Sequence, residues 1–488
     1  MNSAQRSIYD SLTPDELDQR NQLEIAQTPP NIDSPLAVND LAVGVFAAMG
    51  MTAASLATDR GLPPQQVRVD RWHAGNTLNS VAWHFQNGWQ LDIHVVHSAI
   101  NGFFQSRDGR HIIYNGAYPH LRQIILDFLG CPNHKERITE ATASYDAFEL
   151  EESLSKLGAC IAVVRSAEEW ASHEQGRHLA SVPAVEIVKL ADSEPRPFST
   201  TPTRPLSGLR ALDLSKVLAG PTLGRQLAEH GAQVIHLRHP YQDLIYPFDI
   251  ETSYGKINSY LDFTRPRGRE RLLELAREAD VFAQGYRFGA MEKNGFGPHD
   301  LARENPHLVY VQLNAYGFGG PWAHRHGFEQ LAQSVTGAAA INGGSLSNPK
   351  LVPAYMNDYL TGFLGALGAM IALRRRAREG GAWLVNVSLA RTCQLALDLP
   401  LRDPGEALRP TQHEDLGPWL IDQDSSLGVL TRLKSPIEYS ETPCFADIAA
   451  TAPGTHPPEW REVTQPKPPH RPTQMLDSLE LLGNMALH

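Results

Sequence analysis

The chain has 488 residues, 42% of them apolar and 20% charged, enough for more than one domain and for large cores. Its net charge of −11 at pH 7 argues against nucleic acid or an anionic membrane as the main partner, since both call for a basic face. Cys131, Cys160, Cys393 and Cys444 lie far apart with no C-x-x-C pair, so neither a disulfide framework nor a zinc ribbon is expected.

The chain opens on "MNSAQRSIYDSLTPDELDQR", which carries acids and no apolar core and so reads as neither a signal nor a transit peptide. It closes on "MALH", which is no organelle address. A cytoplasmic protein with reduced thiols is the expectation, and no apolar run reads as long enough to span a membrane. Residues 1–33 are polar and contain prolines, as a surface arm would. Residues 34–192 begin with the helical "DLAVGVFAAMGMTAASLA" and continue as mixed β and α segments. Within them, "FFQSRDGRHIIYNG" alternates around Asp108-Gly109, which predicts a hairpin. Residues 193–206 are rich in Pro, Ser and Thr and read as a linker.

Residues 207–400 have a different texture. "LRALDLSKVLAGPTLGRQLAEHGAQVIHLRH" reads as strand, loop, helix, strand, with Pro221 suited to a first helical turn. "RGRERLLELAREADVFAQGY" adds a helix and a strand, and "HLVYVQLNAYG" another strand. Alternation at this spacing predicts α/β architecture, a parallel sheet covered by helices. Residues 401–488 turn Pro-rich and irregular, a tail either draped over the body or disordered.

An internal repeat links the two halves. Residues 39–70 lie over 357–388 without a gap: Asn39-Asp40 falls on Asn357-Asp358, Gly44 on Gly362, Gly50 on Gly368, Val67 and Val69 on Val385 and Val387. A helix headed by an Asp thus occurs twice. Asp358 precedes "YLTGFLGALGAMIAL", a Gly-rich apolar run without another acid. The plain reading is a helix cap. The functional reading rests on glycines that let a backbone or a ligand approach closely and on a position just after a βαβ unit, where ligands gather at the strands' carboxyl ends.

Four stretches carry a resemblance: "PLSGLRALDLSKVLAGPTLGRQLAEHGAQVIHLR", "LDFTRPRGRERLLELAREADVFAQGYRFGAMEKNGFG", "NPHLVYVQLNAYGFGGPW" with "GFEQLAQSVTGAAAINGG", and "MNDYLTGFLGALGAMIALRRRAREGGAWLVNVSL". Together they resemble the class III CoA-transferases, the CaiB/BaiF family, formyl-CoA transferase-like, over nearly all of residues 205–390. Residues 34–190 are similar to the family's other part, through "DGRHIIYNG" and "KLGACIAVVRSAEEWASHEQGRHLA". The order departs from the family, where the Rossmann-like half leads, as though the chain were cut from a fused tandem.

The resemblance implies a Rossmann-like parallel-sheet domain plus a smaller α+β domain. It implies a CoA-transferase that moves CoA from an acyl-CoA to a carboxylic acid, with Asp358 as nucleophile and Asp40 as a candidate second copy. CoA is then a co-substrate, with no permanently bound cofactor and no metal, and the assembly a homodimer. CoA contacts are implied at Lys216, Val217, Leu218 and Ala219, then at Arg238, His239 and Leu261. Further contacts are implied at Gly285, Tyr286, Lys293, Asn314 and Tyr316. Thr264 and Asn314 stand where the family often has cations. Three alternatives stay open. An α-methylacyl-CoA racemase needs a His where Gly327-Phe328-Glu329 stands, although His324 and His326 are near. A non-catalytic acyl-CoA-binding protein would suit the permuted layout. A nicotinamide oxidoreductase is disfavoured, because "LAGPTLG" is not G-x-G-x-x-G.

Overall fold

The computed structural model describes residues 1–13, 17–93, 98–198 and 202–461. Its larger unit is α/β, around a seven-stranded sheet. The spatial order is Lys256–Tyr260, Gln233–Arg238, Arg210–Leu214, Val281–Gln284, Val309–Asn314, Ala382–Ser388 and Glu186–Ala191. The first six strands are parallel and the last antiparallel. A sheet covered on both faces needs near-continuous apolar strands; accordingly Val309, Tyr310, Val311 and Leu313 are all buried. Chain direction across the sheet reverses between Arg210–Leu214 and Val281–Gln284, so a crevice opens at the carboxyl ends there.

Chain from outside residues 207–400 completes the sheet at one end and covers its edge at the other. Glu186–Ala191, from before the linker, pairs with Ala382–Ser388. At the other edge the His456 N–H donates to the Asn258 carbonyl at 3.0 Å, and the Gly255 N–H to the Ile448 carbonyl at 2.7 Å. An edge covered this way is protected from pairing with other chains.

The two Asp helices, Val38–Asp59 and Met356–Glu379, pack on each other, with the Phe46 and Phe363 rings 4.4 Å apart. Each starts from the same backbone turn: Ala37 at φ −76, ψ 53 and Tyr355 at φ −83, ψ 53. A Cβ on Gly50 would fall 2.6 Å from Val67 Cγ1, and one on Gly368 would fall 2.5 Å from Val385 Cγ1. Those four residues occupy matched positions of the repeat. The strands that follow are framed alike. Gln66–Asp70 lies between parallel Gln22–Ala26 and antiparallel Ile437–Tyr439; Ala382–Ser388 lies between parallel Val309–Asn314 and antiparallel Glu186–Ala191. The Val38–Asp59 helix, at 22 residues, is long and apolar enough to cross a membrane, which the sequence reading had not expected. Its residues 38–57 are buried inside the protein.

The expected hairpin is present: Gly102–Gln105 pairs with His111–Tyr114, and Gly109 takes the positive φ of +78 that its turn requires. Ile161–Val163 extends it to three strands. Residues 1–33 are more than an arm. Helix Ser3–Leu12, closed by an Asn2/Gln5 capping box, lies on the Asp40 helix, and Gln22–Ala26 is a strand. The described part of the tail, 401–461, also carries regular structure. Leu420–Ser425 and Gly428–Leu433 form a sheet with Phe85–Gln86 and Trp89–Gln90, and Ile437–Tyr439 is the strand noted above. Short, half-buried strands among prolines leave little periodicity to read. Residues 462–488 of that tail and 199–201 of the linker lie outside the described residues.

Candidate active site

Asp358 is the third residue of its helix, behind an N-cap at Tyr355, so its carboxylate is not spent on capping. No described side chain or backbone N–H donates to it. It faces a cavity of about 380 Å3 at the switch point of the sheet. The Asp358 backbone N–H donates to Glu329 Oε2 at 2.9 Å; Glu329 Oε1 accepts from Gln333 Nε2 at 2.7 Å. Two buried carboxyls therefore meet at one helix start. Burial pushes Asp358 well above the usual carboxylate range. Burial, and then the Asp358 charge, push Glu329 up as well. Like charges in one dry site cannot both ionise easily, so the pair titrates as a unit.

The glycines behind Asp358 serve helix contact rather than ligand access. A Cβ on Gly362 would lie 2.5 Å from the Ala219 carbonyl oxygen, and one on Gly365 would lie 2.4 Å from Leu223 Cδ1. They let helix Ala219–Glu229 seat against the Asp358 helix. Pro221 is the third residue of that helix, where its missing N–H still has no intrahelical partner to lose. The turn before it holds Val217 at φ +70, a left-handed conformation that a β-branched residue rarely adopts. Strain thus sits on the cavity wall.

Of the residues expected to contact CoA, Lys216, Val217, Ala219, Gly285, Tyr286 and Asn314 line this cavity with Asp358. Leu218, Arg238, His239, Leu261, Lys293 and Tyr316 do not. Leu218 is a fully buried helix N-cap. Arg238 is buried in an ion pair with Asp249. His239 faces Asp262 at 3.5 Å. The Leu261 N–H bonds the Arg238 carbonyl at 2.8 Å, Lys293 is exposed, and Tyr316 packs edge-on to Trp322 at 5.3 Å.

The sequence reading missed the contribution of the first half. Tyr118, His120, Leu121 and Cys160 line the same cavity, so both halves of one chain surround Asp358. Tyr118 stacks on Phe328 at 6.1 Å and lies beneath Lys216, whose Nζ is 5.3 Å from the ring centre. Arg287, Phe288 and Leu313 are also on the wall. His324 and His326 also line it. His326 Nδ1 must be the donor in its 2.6 Å bond to the Gly158 carbonyl, and His324 packs on Phe288 at 4.8 Å. Neither bonds to Asp358.

Asp40 has a different fate from its twin. Its Oδ2 is paired with Arg71 at 2.7 Å. Its Oδ1 accepts from Gln5 Nε2 at 2.7 Å and Asn2 Nδ2 at 2.9 Å. Helix Ser3–Leu12 fills the space in front: a Cβ on Gly44 would meet Ile8 Cβ at 2.6 Å. Asp40 is not on the wall of the Asp358 cavity.

Comparison with known proteins finds similarity over part of the chain. Residues 206–414 match the CoA-transferase family III. The chain is 32% identical over 341 residues to an acetyl-coenzyme A transferase of Hypoxylon pulicicidum, covering 64% of this chain and 57% of that one. It is 32% identical over 204 residues to the beta subunit of a succinyl-CoA–L-malate CoA-transferase of Chloroflexus aurantiacus, covering 39% and 50%. The chain spans about half the length of the curated relatives it matches. Among solved structures, a hypothetical protein of Mycobacterium tuberculosis aligns with 30% identity and a TM-score of 0.38 over 41% of this chain and 58% of that one.

Proposed function

We infer that this chain, whose residues 206–414 match the CoA-transferase family III, moves CoA from an acyl-CoA thioester to a carboxylic acid through a covalent intermediate on Asp358. One observation carries the reading: the Asp358 carboxylate faces the cavity at a helix start with no partner of its own, while its twin Asp40 is fully engaged.

The chemistry balances as follows. The Asp358 carboxylate attacks the thioester carbonyl and expels CoA thiolate, leaving an acyl-aspartyl anhydride. The thiolate attacks the aspartyl carbonyl, forms an aspartyl-CoA thioester and releases the first acid as a carboxylate. The acceptor carboxylate attacks that thioester, again expelling thiolate, which then takes the acceptor's carbonyl and frees Asp358. Covalent catalysis divides one hard transfer into easier ones. The positive end of a 24-residue helix favours the ionised nucleophile and the oxyanions that follow it. Lys216, Val217, Ala219, Gly285, Tyr286 and Asn314 are the residues assigned to the CoA thioester, as a bound co-substrate.

Incubating the protein with an acyl-CoA and a free acid, and separating thioesters by chromatography, tests the reading. A new acyl-CoA at the expense of the first supports it; hydrolysis alone, or no turnover, refutes it. A racemase reading keeps one support, the two histidines on the cavity wall. Deuterium uptake at C2 of a 2-methylacyl-CoA, without exchange of CoA, would favour it. A cytoplasmic homodimer remains part of the proposal, its assembly measurable by light scattering.

A further inference from the structure

Beneath the 215–221 turn lies a charge pair that the transfer chemistry does not use. Asp213 and Lys256 are both buried, and neither is on the cavity wall. Lys256 Nζ donates to Asp213 Oδ2 at 2.8 Å and to the Pro221 carbonyl at 2.6 Å. Asp213 Oδ1 accepts from the Ser215 N–H at 3.1 Å and from the Ser215 hydroxyl. His236, opposite Asp213 in the sheet register, donates from Nε2 to the Ser215 carbonyl at 3.0 Å. The N–H, the hydroxyl and the carbonyl of Ser215 are therefore all held, and so is the carbonyl of Pro221. Gly224 makes room for this: a Cβ there would lie 2.3 Å from Asp213 Oδ2 and 3.0 Å from Lys256 Nζ.

Between the two held residues run Lys216, Val217 and Ala219 of the cavity wall. Val217 has a φ of +70, and a β-branched residue keeps that conformation only where its surroundings over-determine it. The clamp at Ser215 and Pro221 supplies that constraint. Packing alone does not account for the pair, since apolar residues of similar volume often serve stability as well as a buried ion pair does. What the charges add is direction. The ammonium ends on the carbonyl that follows the turn, and the carboxylate on the residue that opens it.

We propose that Lys256, held by Asp213, is a positioning residue for CoA transfer: it keeps the strained Val217 turn in the one shape that sets the thioester against Asp358. The proposal rests on the transferase reading above and adds a residue that touches no reacting atom.

A cycle with Val217→Gly tests it, because glycine takes a positive φ without strain and so has less need of the clamp. The clamp is loosened by Asp213→Asn together with Lys256→Met, which removes both charges, leaves no lone buried ion and keeps an acceptor for Ser215. With Val217 in place, kcat/KM for the acyl-CoA, per folded molecule, should fall at least about tenfold, the scale that misplacement away from the reacting atoms reaches. In the Val217→Gly background the same loosening should cost less than about threefold. Ser215→Ala deletes only the hydroxyl bonded to Asp213. It should show the same contrast on a smaller scale, and it decides the matter if the paired variant does not fold. A penalty equal in the two backgrounds, or no penalty at all, overturns the proposal, since a purely structural pair would act independently of Val217. Wild-type transfer with equal penalties defeats the proposal alone; a wild-type protein that transfers CoA to no acid defeats the transferase reading with it.

Discussion

The Asp358 N–H donates to Glu329 Oε2 at 2.9 Å, so the residue assigned as nucleophile is held by a second buried carboxyl that shares its titration. Attack needs Asp358 ionised, and the rate should rise with pH through the pair's titration. Glu329→Gln removes the like charge. Asp358 keeps the shift that burial gives it, so the rate should still rise with pH, but through one ionisation instead of the pair's two. Both carboxyls are pushed up in the folded state, so their contribution to stability is complete below the unfolded carboxyl range and is lost as pH rises. Glu329→Gln should therefore gain stability relative to wild type between pH 5 and pH 8, read by denaturant unfolding. A Glu329→Gln profile that still shows two ionisations would contradict the coupling.

Asp40→Asn should behave as a stability variant. With its Oδ1 kept on Asn2 and Gln5, the amide turns an N–H donor toward the Arg71 guanidinium, which is left buried with only Glu406 as its acid. Breaking one side of a buried ion pair costs about 3–5 kcal/mol. Urea unfolding should record a loss of that order. Acyl-enzyme formation at Asp358, measured on the folded fraction, should persist. Loss of the covalent intermediate in folded Asp40→Asn would mean that the twin takes part in the chemistry.

Gly362→Ala should damage both stability and transfer. The new Cβ would lie 2.5 Å from the Ala219 carbonyl oxygen and 2.7 Å from Thr222 Cβ, against backbone that cannot swing aside. Forcing the two helices apart costs about 1–3 kcal/mol and moves the 216–219 loop away from Asp358. A lower thermal midpoint with a raised KM for acyl-CoA is expected; a neutral substitution would show that the contact is looser than drawn.

Stability should fall in mild acid. Burial lowers His73, His84 and His236 to about 3 and His230 to about 4. Their unfolded counterparts take a proton near 6.5. A depressed group contributes stability that is complete above its unfolded pKa and is lost as pH drops toward the folded one. Each can remove up to about 1.4 kcal/mol per pH unit below 6.5. Denaturant midpoints measured from pH 7 to pH 4.5 should fall steadily, and His84→Gln, which loses one proton site, should show a shallower slope.

Much of this arrangement was legible in the residues. Alternating apolar strands and helices set the order around Arg210–Leu214, and Asp108-Gly109 marked its hairpin. The gapless overlay of Asn39-Asp40 on Asn357-Asp358 found both Asp helices. Their chemical difference was hidden, because Asp40 is engaged by Asn2 and Gln5, some forty residues away in sequence, and by the docking of a helix that read as an arm. Tyr118, His120 and Cys160 carry no local signal; only the docking of the first half on the second brings them to Asp358. Arg238, Lys293 and Tyr316 follow their strands as expected, but an ion pair, solvent exposure and ring packing keep them off the cavity wall. The strands of residues 420–439 escaped because short segments among prolines show no clear period.

The most direct measurement is intact mass after incubation with a panel of acyl-CoAs and hydroxylamine quenching, on wild type beside Asp358→Ala. The account predicts a hydroxamate at Asp358 in the wild-type protein and none in the variant. A hydroxamate that survives in Asp358→Ala, or maps to Asp40, would contradict it.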